Sequence, residues 1–373
     1  MTDTTPIITH PPDLTRLHNS SSPTIPTKLS SSSSFSAGHM PSTTATTSTT
    51  TPTTSPTNIQ QLQQNGYIII PSLLPPHLLL ASRATSKYLV QRTRLGTFWP
   101  HVRTVPKQYP PWPLFSSPDQ DLNIWGVQHL LHPDLKGLRD VFAEVYFCGE
   151  VLGVVRGLLA DPNNSKDGEE VAVGEDELVM ELFNLLVSPG KRQGFELEWH
   201  RDDVRPDVTE DEEARLLSEK TPAGRQLHAQ YNIALFEDES LVVVPGSHRR
   251  VRTEQERKAG KYDVLPGEVR VNLGPGDAVF YDSNILHRGV YGGIDEHTEL
   301  GRMTLHGSVG LRGYGAERCR QVLQHGVGEW VDGDGGGFGS IQDEGKRRVA
   351  EVMRRNLVEM GRGVGDVGFS LEG

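Results

Sequence analysis

The chain is poor in cysteine and in long apolar runs, and each shortage excludes a class of protein. Only two cysteines occur in 373 residues, too few for a disulfide framework, so Cys148 and Cys319 are expected as free buried thiols in a reducing compartment. No segment reaches the roughly 18 uninterrupted apolar residues of a membrane span, and the N-terminus lacks the charged start and apolar core of a secretion signal. We therefore expect a cytoplasmic protein with no membrane partner.

Basic residues are also in short supply. Lys and Arg total 37 against 48 Asp and Glu, which gives a net charge of −11. Sequence-independent binding of nucleic acid depends on a basic surface. The charge balance therefore predicts no nucleic-acid partner.

Composition divides the chain into three parts. Residues 1–58 are more than half Ser, Thr and Pro, and we expect a disordered leader because such a segment has too little apolar surface to offset the entropy of ordering. Residues 59–332 are expected to form one folded domain. Residues 333–373 begin with a glycine-rich stretch and are expected to form a flexible linker and a C-terminal helix over 342–360.

The apolar pattern predicts mainly β structure with flanking helices. Helical spacing occurs at residues 59–64, 77–92 and 134–151, and a short buried strand is expected at 67–71. From residue 178 onward, short apolar runs separated by Gly and Pro turns indicate a sandwich or barrel. The strands are expected at 178–187, 195–199, 230–236, 241–244, 268–273, 278–281 and 302–309. The charged segment 202–225 is expected as a loop or short helix over one mouth of the barrel.

A metal site is predicted where His200 and Asp202 end the strand at 195–199. Residues two apart on a strand share one face, so both side chains can point at one ion. His287 follows a Gly-Pro-Gly-Asp turn and a strand, and it can return to the interior beside this pair. Two imidazoles and one carboxylate hold ferrous iron and leave positions open for oxygen and a co-substrate. The candidates for the third ligand are His228, His248, His287, His297 and His306.

The other histidines have competing explanations. His248 lies in a Pro-Gly turn and is expected to brace it by hydrogen bonds, whereas His297 lies in a polar run and is expected to be solvated. A second His-x-Asp pair, His132 and Asp134, precedes a predicted helix. There the carboxylate of Asp134 is expected to cap the helix by accepting backbone N–H bonds.

The last predicted strand has a polar face formed by Arg302, Thr304, His306 and Ser308. In an ordinary sandwich such a face meets water. If it faces the barrel interior instead, the planar guanidinium of Arg302 can bind a carboxylate through two parallel hydrogen bonds. A dicarboxylate co-substrate held in this way can chelate the iron with its other end.

Taken together, these motifs resemble the phytanoyl-CoA dioxygenase family of iron(II)- and 2-oxoglutarate-dependent oxygenases. The resemblance spans residues 61–309 and depends on 199–202 (WHRD), 241–249 (LVVVPGSHR), 276–280 with 287–289, and Arg302. It implies a double-stranded β-helix of the jelly-roll type, with Fe(II), 2-oxoglutarate and O2 as cofactor and co-substrates. The implied roles are iron ligation by His200, Asp202 and His287, binding of the distal 2-oxoglutarate carboxylate by Arg302, and a place on pocket-lining strands for Asn184 and Asn232. Arg288 is an alternative to Arg302 because the interval from His287 to Arg302 is longer than usual.

The resemblance also implies hydroxylation of a small organic or acyl substrate, with release of succinate and CO2. Desaturation or ring formation are open alternatives, and the carboxylate of Asp202 disfavours halogenation because it fills the position where chloride would bind. Two rival hypotheses are a non-catalytic jelly-roll binding protein and a cupin-like metalloenzyme that needs no keto acid.

A basic run after residue 246 is interpreted either as a site for a coenzyme A thioester or as a solvated loop. Its members are Arg249, Arg250, Arg252, Arg257, Lys258 and Lys261.

Overall fold

The computed structural model describes residues 56–96, 98–105, 123–161, 163–166, 169–189, 194–220, 222–292, 301–313 and 316–362. All of these residues belong to one compact unit. The predicted leader lies outside the described residues except for residues 56–58. The expected solvation of His297 also lies outside them.

Thirteen strands are formed by the described residues. They are β1 (Tyr67–Ile70), β2 (Val102–Thr104), β3 (Ile124–Val127), β4 (Ser165–Lys166), β5 (Glu169–Glu170), β6 (Leu178–Val187), β7 (Phe195–Glu196), β8 (His228–Ala234), β9 (Leu241–Val244), β10 (Val269–Arg270), β11 (Ala278–Tyr281), β12 (Leu286–Tyr291) and β13 (Met303–Leu311). The predicted strands at 178–187, 241–244 and 278–281 are confirmed at the same bounds.

Helices lie before, within and after the strand-rich part. They are α1 (Pro56–Asn65), α2 (Pro76–Arg94), α3 (Gly137–Tyr146), α4 (Gly149–Leu158), α5 (Glu210–Lys220), α6 (Glu254–Lys258), α7 (Ala316–Gln324) and α8 (Glu344–Arg362). No helix in the described ranges has the length and apolar character needed to cross a bilayer.

The strands form two antiparallel sheets that enclose a cavity. The large sheet has the order β1-β11-β8-β13-β6-β3-β2 and the small sheet the order β10-β9-β12-β7, while β4 and β5 form a separate hairpin. Residues of β8 and β13 from the large sheet and of β9 and β12 from the small sheet line one cavity, which therefore lies between the sheets. The predicted jelly roll with flanking helices is confirmed.

The main core lies on the other face of the large sheet, under the helices. Along β6, Leu185 and Val187 are buried in this core, whereas Leu182 and Leu186 line the cavity. This alternation is what a strand with two covered faces requires. Helix α8 packs against β6 from the core side, and α2 packs against α3. Cys148 and Cys319 are both free and buried, as predicted.

Several predicted elements differ from the structure. The predicted helix at 134–151 is two helices, because the backbone of Cys148 is extended and α4 begins only at Gly149. The predicted strand at 195–199 is reduced to β7 and a single bridge at His200. Strand β12 and helix α7 were not predicted at all. In β12 the sequence Leu-His-Arg-Gly interrupts the apolar pattern, and backbone pairing with β9 stabilises the strand instead.

The predicted cap at Asp134 is wrong. Residues Pro133–Leu135 form a short 3-10 helix, and its cap is His132, whose Nδ1 accepts the backbone N–H of Asp134 at 3.1 Å. The side chain of Asp134 is 81% exposed. His132 and not Asp134 caps this helix, because His132 is the residue immediately before it, which is the usual place of an N-cap side chain.

The glycine-rich segment near the C-terminus is joined to the main core. The guanidinium of Arg139 donates hydrogen bonds to the carbonyl oxygens of Gly336 and Gly337 at 2.7 and 2.8 Å. The same guanidinium lies 4.2 Å from the ring centroid of Phe338, which is itself buried. These contacts link the segment before α8 to α3.

Candidate metal and co-substrate site

The cavity between the sheets has a volume of about 700 Å³, within the range typical of small-molecule sites. Strand β12 contributes His287 and Tyr291, and strand β13 contributes His306. Helix α5, within the segment predicted to cover one mouth of the barrel, contributes Leu216. The predicted cover is therefore confirmed as a helix, and the polar face of β13 faces the interior and not bulk water.

Three of the predicted ligands meet at one point in this cavity. One ligand atom each from His200, Asp202 and His287 lies within 4.8 Å of the other two, and this is the one such group of three found among the described residues. His200 and His287 stand opposite each other in an antiparallel bridge, with both backbone N–H to O distances at 3.0 Å. The N–H of Asp202 donates to the carbonyl of Ser283 at 2.8 Å. Backbone bonds therefore fix all three positions.

Each imidazole presents the nitrogen that a metal needs. The Nδ1 atoms of His200 and His287 lie 2.7 and 2.8 Å from the carbonyl oxygens of Glu198 and Ile285. A carbonyl only accepts, so each Nδ1 carries the hydrogen and each Nε2 keeps a free lone pair. The carboxylate oxygens of Asp202 lie 3.5 and 3.7 Å from these Nε2 atoms. Those distances exceed good hydrogen bonds and suit three atoms around one cation.

The charge states of two members of the group, Asp202 and His287, also favour a cation. Burial lowers the pKa of His287 to about 4, and the neighbouring His200 lowers it as well. Burial alone would raise the pKa of Asp202, but the charges of His287 and His200 bring it well below its usual value. At neutral pH Asp202 is therefore anionic and His287 neutral, the protonation states that bind metal.

Gln230 on β8 holds the carboxylate in place. Its Nε2 donates to Oδ2 of Asp202 at 2.7 Å. The ring of Tyr281 meets the ring of His287 edge-on, with the centroids 5.4 Å apart. These two contacts restrain both ligands from the side of the large sheet.

Arg302, just before β13, has protein partners for its Nε atom but none for its Nη1 atom. Its Nε donates to Oδ2 of Asp238 at 3.0 Å and to Oγ1 of Thr304 at 3.1 Å, and its guanidinium carbon lies 4.7 Å from the ring centroid of Tyr291. The side chain is only 7% exposed, yet Nη1 is buried without a hydrogen-bond partner. A buried donor without a partner is costly, so the cavity fits a carboxylate at this point.

Arg288 points to the other side of β12. Its Nη1 donates to Oε2 of Glu196 at 2.9 Å, and its guanidinium carbon lies 4.7 Å from the ring centroid of Trp199. Arg288 is not one of the described residues that line the cavity. Neighbouring strand residues face opposite ways, so the inward position of His287 directs Arg288 outward.

The two predicted asparagines flank His306. Asn232 lines the cavity, and its Oδ1 lies 2.8 Å from Nδ1 of His306. Asn184 is buried on β6, where its Oδ1 accepts the backbone N–H of His129 at 3.0 Å. It is not one of the described cavity-lining residues.

The remaining candidate histidines lie apart from the three ligands. His248 is buried in a turn, and its Nε2 lies 3.1 Å from the carbonyl oxygen of Gln63 in α1. It therefore braces the turn against the N-terminal helix, as the turn context predicted. His228 lies 4.0 Å from a carboxylate oxygen of Asp203, and His306 bonds to Asn232.

The family model for phytanoyl-CoA dioxygenase (PhyH) matches residues 62–290, more than half of the chain. The chain belongs to the phytanoyl-CoA dioxygenase family. It is accordingly a 2-oxoglutarate-dependent dioxygenase, with iron and 2-oxoglutarate as its cofactors. The free Nε2 atoms, the carboxylate of Asp202 and the open Nη1 of Arg302 fit both groups.

Several solved structures have a similar fold. EctD from S. alaskensis, solved with 2-oxoglutarate and 5-hydroxyectoine, is 18% identical, and the match covers 69% of this chain and 76% of that chain with a TM-score of 0.44. HygX from Streptomyces hygroscopicus, solved with nickel and 2-oxoglutarate, is 14% identical, with coverages of 70% and 89% and a TM-score of 0.45. AviO1 from Streptomyces viridochromogenes Tue57 is 18% identical, with coverages of 68% and 93% and a TM-score of 0.40. None of the curated proteins matches this chain.

Four of the six residues in the basic run of this dioxygenase form ion pairs. Buried Glu213 of α5 accepts hydrogen bonds from Arg201 at 3.0 Å, from Arg252 at 2.8 Å and from Arg257. We call these four residues the Glu213 network. Arg250 forms a bidentate pair with Glu256 at 2.6 and 2.7 Å. The run is thus neither a wholly solvated loop nor a free basic surface. The sequence did not indicate this, because residue spacing within the run does not reveal a partner on α5.

The cavity arginines Arg103 and Arg318 of this dioxygenase were not predicted. Arg318 on α7 lies 2.9 Å from a carboxylate oxygen of Glu181 and 3.5 Å from one of Asp203. Arg103 on β2 also lines the cavity. Neither residue lies in a motif, and only the three-dimensional fold brings them to the site.

Proposed function

We propose that this chain hydroxylates a small organic or acyl substrate, converting 2-oxoglutarate and O2 to succinate and CO2. One oxygen atom enters a C–H bond of the substrate and the other enters succinate. In this proposal His200, Asp202 and His287 hold the iron, and Arg302 binds the distal carboxylate of 2-oxoglutarate. The observation that supports it most is one cavity containing both a three-ligand group and a buried guanidinium nitrogen without a partner.

The protein residues bind, orient and exclude water. A bound iron would supply a Lewis-acid and redox centre for the keto acid and O2. The carbonyls of Glu198 and Ile285 keep the two Nε2 atoms directed into the cavity. Asp238 and Thr304 fix Arg302 so that its open side meets the co-substrate. Helix α5 covers one side of the cavity and limits the entry of water.

Iron titration under anaerobic conditions, with and without 2-oxoglutarate, tests this function. A visible metal-to-ligand charge-transfer band that needs both components is expected for a keto-acid-dependent oxygenase. Iron binding without a keto-acid-dependent band would favour a metalloenzyme that uses no keto acid. Absence of iron binding would favour a non-catalytic jelly-roll protein.

Arg302→Ala is expected to raise the 2-oxoglutarate requirement. The substitution removes charge-assisted hydrogen bonds worth about 1.5 to 3 kcal/mol, or about 10- to 150-fold in affinity. Titration of the charge-transfer band with 2-oxoglutarate measures the change. Arg288→Ala is the control and should leave the requirement unchanged. A rise only in Arg288→Ala would assign the anchor to Arg288.

Gln230→Leu is expected to weaken iron binding by about 10- to 100-fold, the usual effect of removing an outer partner of a metal ligand. The leucine leaves Asp202 without the donor at 2.7 Å. Competition with a chromogenic chelator measures the iron affinity. Gln226→Leu is a matched control, because Gln226 donates at 2.8 Å to Asp282 instead. Equal iron affinity in the two variants would remove Gln230 from this role.

A further inference from the structure

Arg103 is a cavity cation that lacks an anionic partner. Its Nε is buried without a hydrogen-bond partner. The other arginines that line the cavity within the described chain each pair with a carboxylate: Arg201 with Glu213, Arg205 with Asp207, Arg302 with Asp238 and Arg318 with Glu181. Arg103 is thus the cavity arginine whose charge the described protein residues leave unpaired. An unpaired cation beside a ligand cavity indicates an anionic ligand.

The fold makes room for this side chain. Arg103 on β2 stands opposite Gly126 on β3. A Cβ atom at Gly126 would come within 3.2 Å of Cβ and 3.4 Å of Cδ of Arg103, closer than the Arg103 side chain tolerates without shifting. The guanidinium carbon of Arg103 lies 5.4 Å from the ring centroid of Trp125, the residue before Gly126 on β3. Glycine at 126 therefore lets the arginine lie across the strand.

Trp125 supplies a second unpaired donor. The residue lines the cavity and is 1% exposed, and its Nε1 is buried without a hydrogen-bond partner. An indole N–H and a guanidinium only donate hydrogen bonds. A ligand group that only accepts them, such as a carboxylate, complements both. Because the Arg103 guanidinium lies over the Trp125 ring, the two unpaired donors border the same part of the cavity.

The surrounding wall is apolar. Trp125 packs in one cluster with Leu186, Phe195 and Tyr291, and Leu197 packs against it. Four of these five residues also line the cavity, the exception being Phe195. A ligand held at Arg103 would therefore carry an apolar body against this wall.

We propose that Arg103 and Trp125 bind the carboxylate of the primary substrate, a small free acid with an apolar body. This inference rests on the proposed function. The carboxylates of 2-oxoglutarate have other places there, one at Arg302 and one at the iron. Arg103 is left for the molecule that is oxidised.

A coenzyme A thioester fits the surroundings less well than a free acid. Its phosphates need several free cations outside the cavity, but four of the six residues in the basic run are already paired with carboxylates. The exposed carboxylates Glu198 and Glu212 also line the cavity and would repel a polyanion. A monoanion that enters as far as Arg103 avoids both problems.

The test compares acids with their neutral amides on the full chain loaded anaerobically with Fe(II) and 2-oxoglutarate. The probes are octanoate and octanamide, cyclohexanecarboxylate and cyclohexanecarboxamide, phenylacetate and phenylacetamide, and coenzyme A. Calorimetry gives each dissociation constant for the wild type and for Arg103→Met, Arg103→Lys and Arg205→Met. Arg205→Met is the matched control, because Arg205 lines the same cavity but pairs with Asp207.

At least one acid should bind the wild type and Arg205→Met about 10-fold or more tightly than its amide, and more tightly than coenzyme A. Arg103→Met should weaken that acid by about 10- to 100-fold without weakening the amide, and Arg103→Lys should restore part of the loss. The keto-acid-dependent band should persist in Arg103→Met with an unchanged 2-oxoglutarate affinity.

Three results would overturn the inference. In the first, no acid is preferred over its amide. In the second, Arg103→Met weakens 2-oxoglutarate and leaves acid binding unchanged, which would assign Arg103 to the co-substrate. In the third, coenzyme A binds more tightly than every acid. A missing charge-transfer band in the wild type would instead reject the proposed function, so the two failures are distinguishable.

Discussion

Replacement of His200 or Asp202 by alanine is expected to lower iron-dependent succinate formation by at least about 100-fold. Loss of an outer partner of a metal ligand already costs about 10- to 100-fold, and here one of three protein ligands is lost outright. The two residues that remain in each variant cannot occupy three coordination positions. Succinate release at saturating 2-oxoglutarate, together with iron content after anaerobic dialysis, measures the effect.

His132→Ala is the matched control for these variants. His132 belongs to the other His-x-Asp pair, and its Nδ1 only caps a turn at Asp134. Succinate formation by this variant should stay within about twofold of the wild type, since His132 is not one of the described cavity-lining residues. Equal losses in all three variants would refute the assignment of the metal ligands. Thermal unfolding of each variant separates loss of the site from loss of the fold.

Glu213→Ala is expected to destabilise the protein by about 3 to 5 kcal/mol, the usual cost of removing one partner from a buried ionic group. The side chain of Glu213 is fully buried, and those of Arg201 and Arg252 are almost fully buried. Without the carboxylate their positive charges repel each other in a poorly solvated place. Urea denaturation, read as a shift in midpoint at constant slope, measures the change.

Glu219→Ala tests whether burial is the cause. Glu219 lies on the same helix and pairs with Arg215, but its side chain is 54% exposed. Exposed pairs contribute about 0 to 1 kcal/mol. Glu213→Gln keeps the shape of the side chain and should give an intermediate loss. A loss for Glu213→Ala no larger than for Glu219→Ala would show that the network is not a stability element.

The same network predicts a pH dependence. Burial alone would raise the pKa of Glu213, but hydrogen bonding and charge from Arg252, followed by Arg201, lower it below its ordinary value of 4.5. A lowered folded-state pKa gives stability that is present above the ordinary value and is lost as the pH falls through the folded-state value. The difference in unfolding free energy between wild type and Glu213→Ala should therefore shrink below about pH 4.5.

Sequence alone predicted those strands whose apolar runs are continuous. Strands β9 and β11 are of this kind, and in β6 only Glu181 and Asn184 interrupt the run, because both faces of these strands are covered. Strand β12 carries Arg288 on its outward face, and the carboxylates that accommodate its charge, Glu196 and Glu268, lie far away in the sequence. A window of neighbouring residues contains no such information.

The site residues also divide into those that a local sequence pattern indicates and those that only the fold brings together. His200 and Asp202 were predicted from strand alternation, and the choice of His287 and Arg302 came largely from the family resemblance. Arg103 lies about 100 positions before His200 in the sequence, on a strand of three residues, and no local pattern marks it. The Glu213 network was likewise missed because its arginines read locally as a basic run.

The antiparallel bridge between His200 and His287 bears on how the enzyme matures. Two backbone bonds set the spacing of these residues, so the ligands come together as the polypeptide folds and before any ion arrives. We therefore expect the empty protein to be stable, in contrast to zinc fingers, whose folding depends on metal. In a cell the active fraction would then follow the iron supply, while the amount of folded enzyme stays the same.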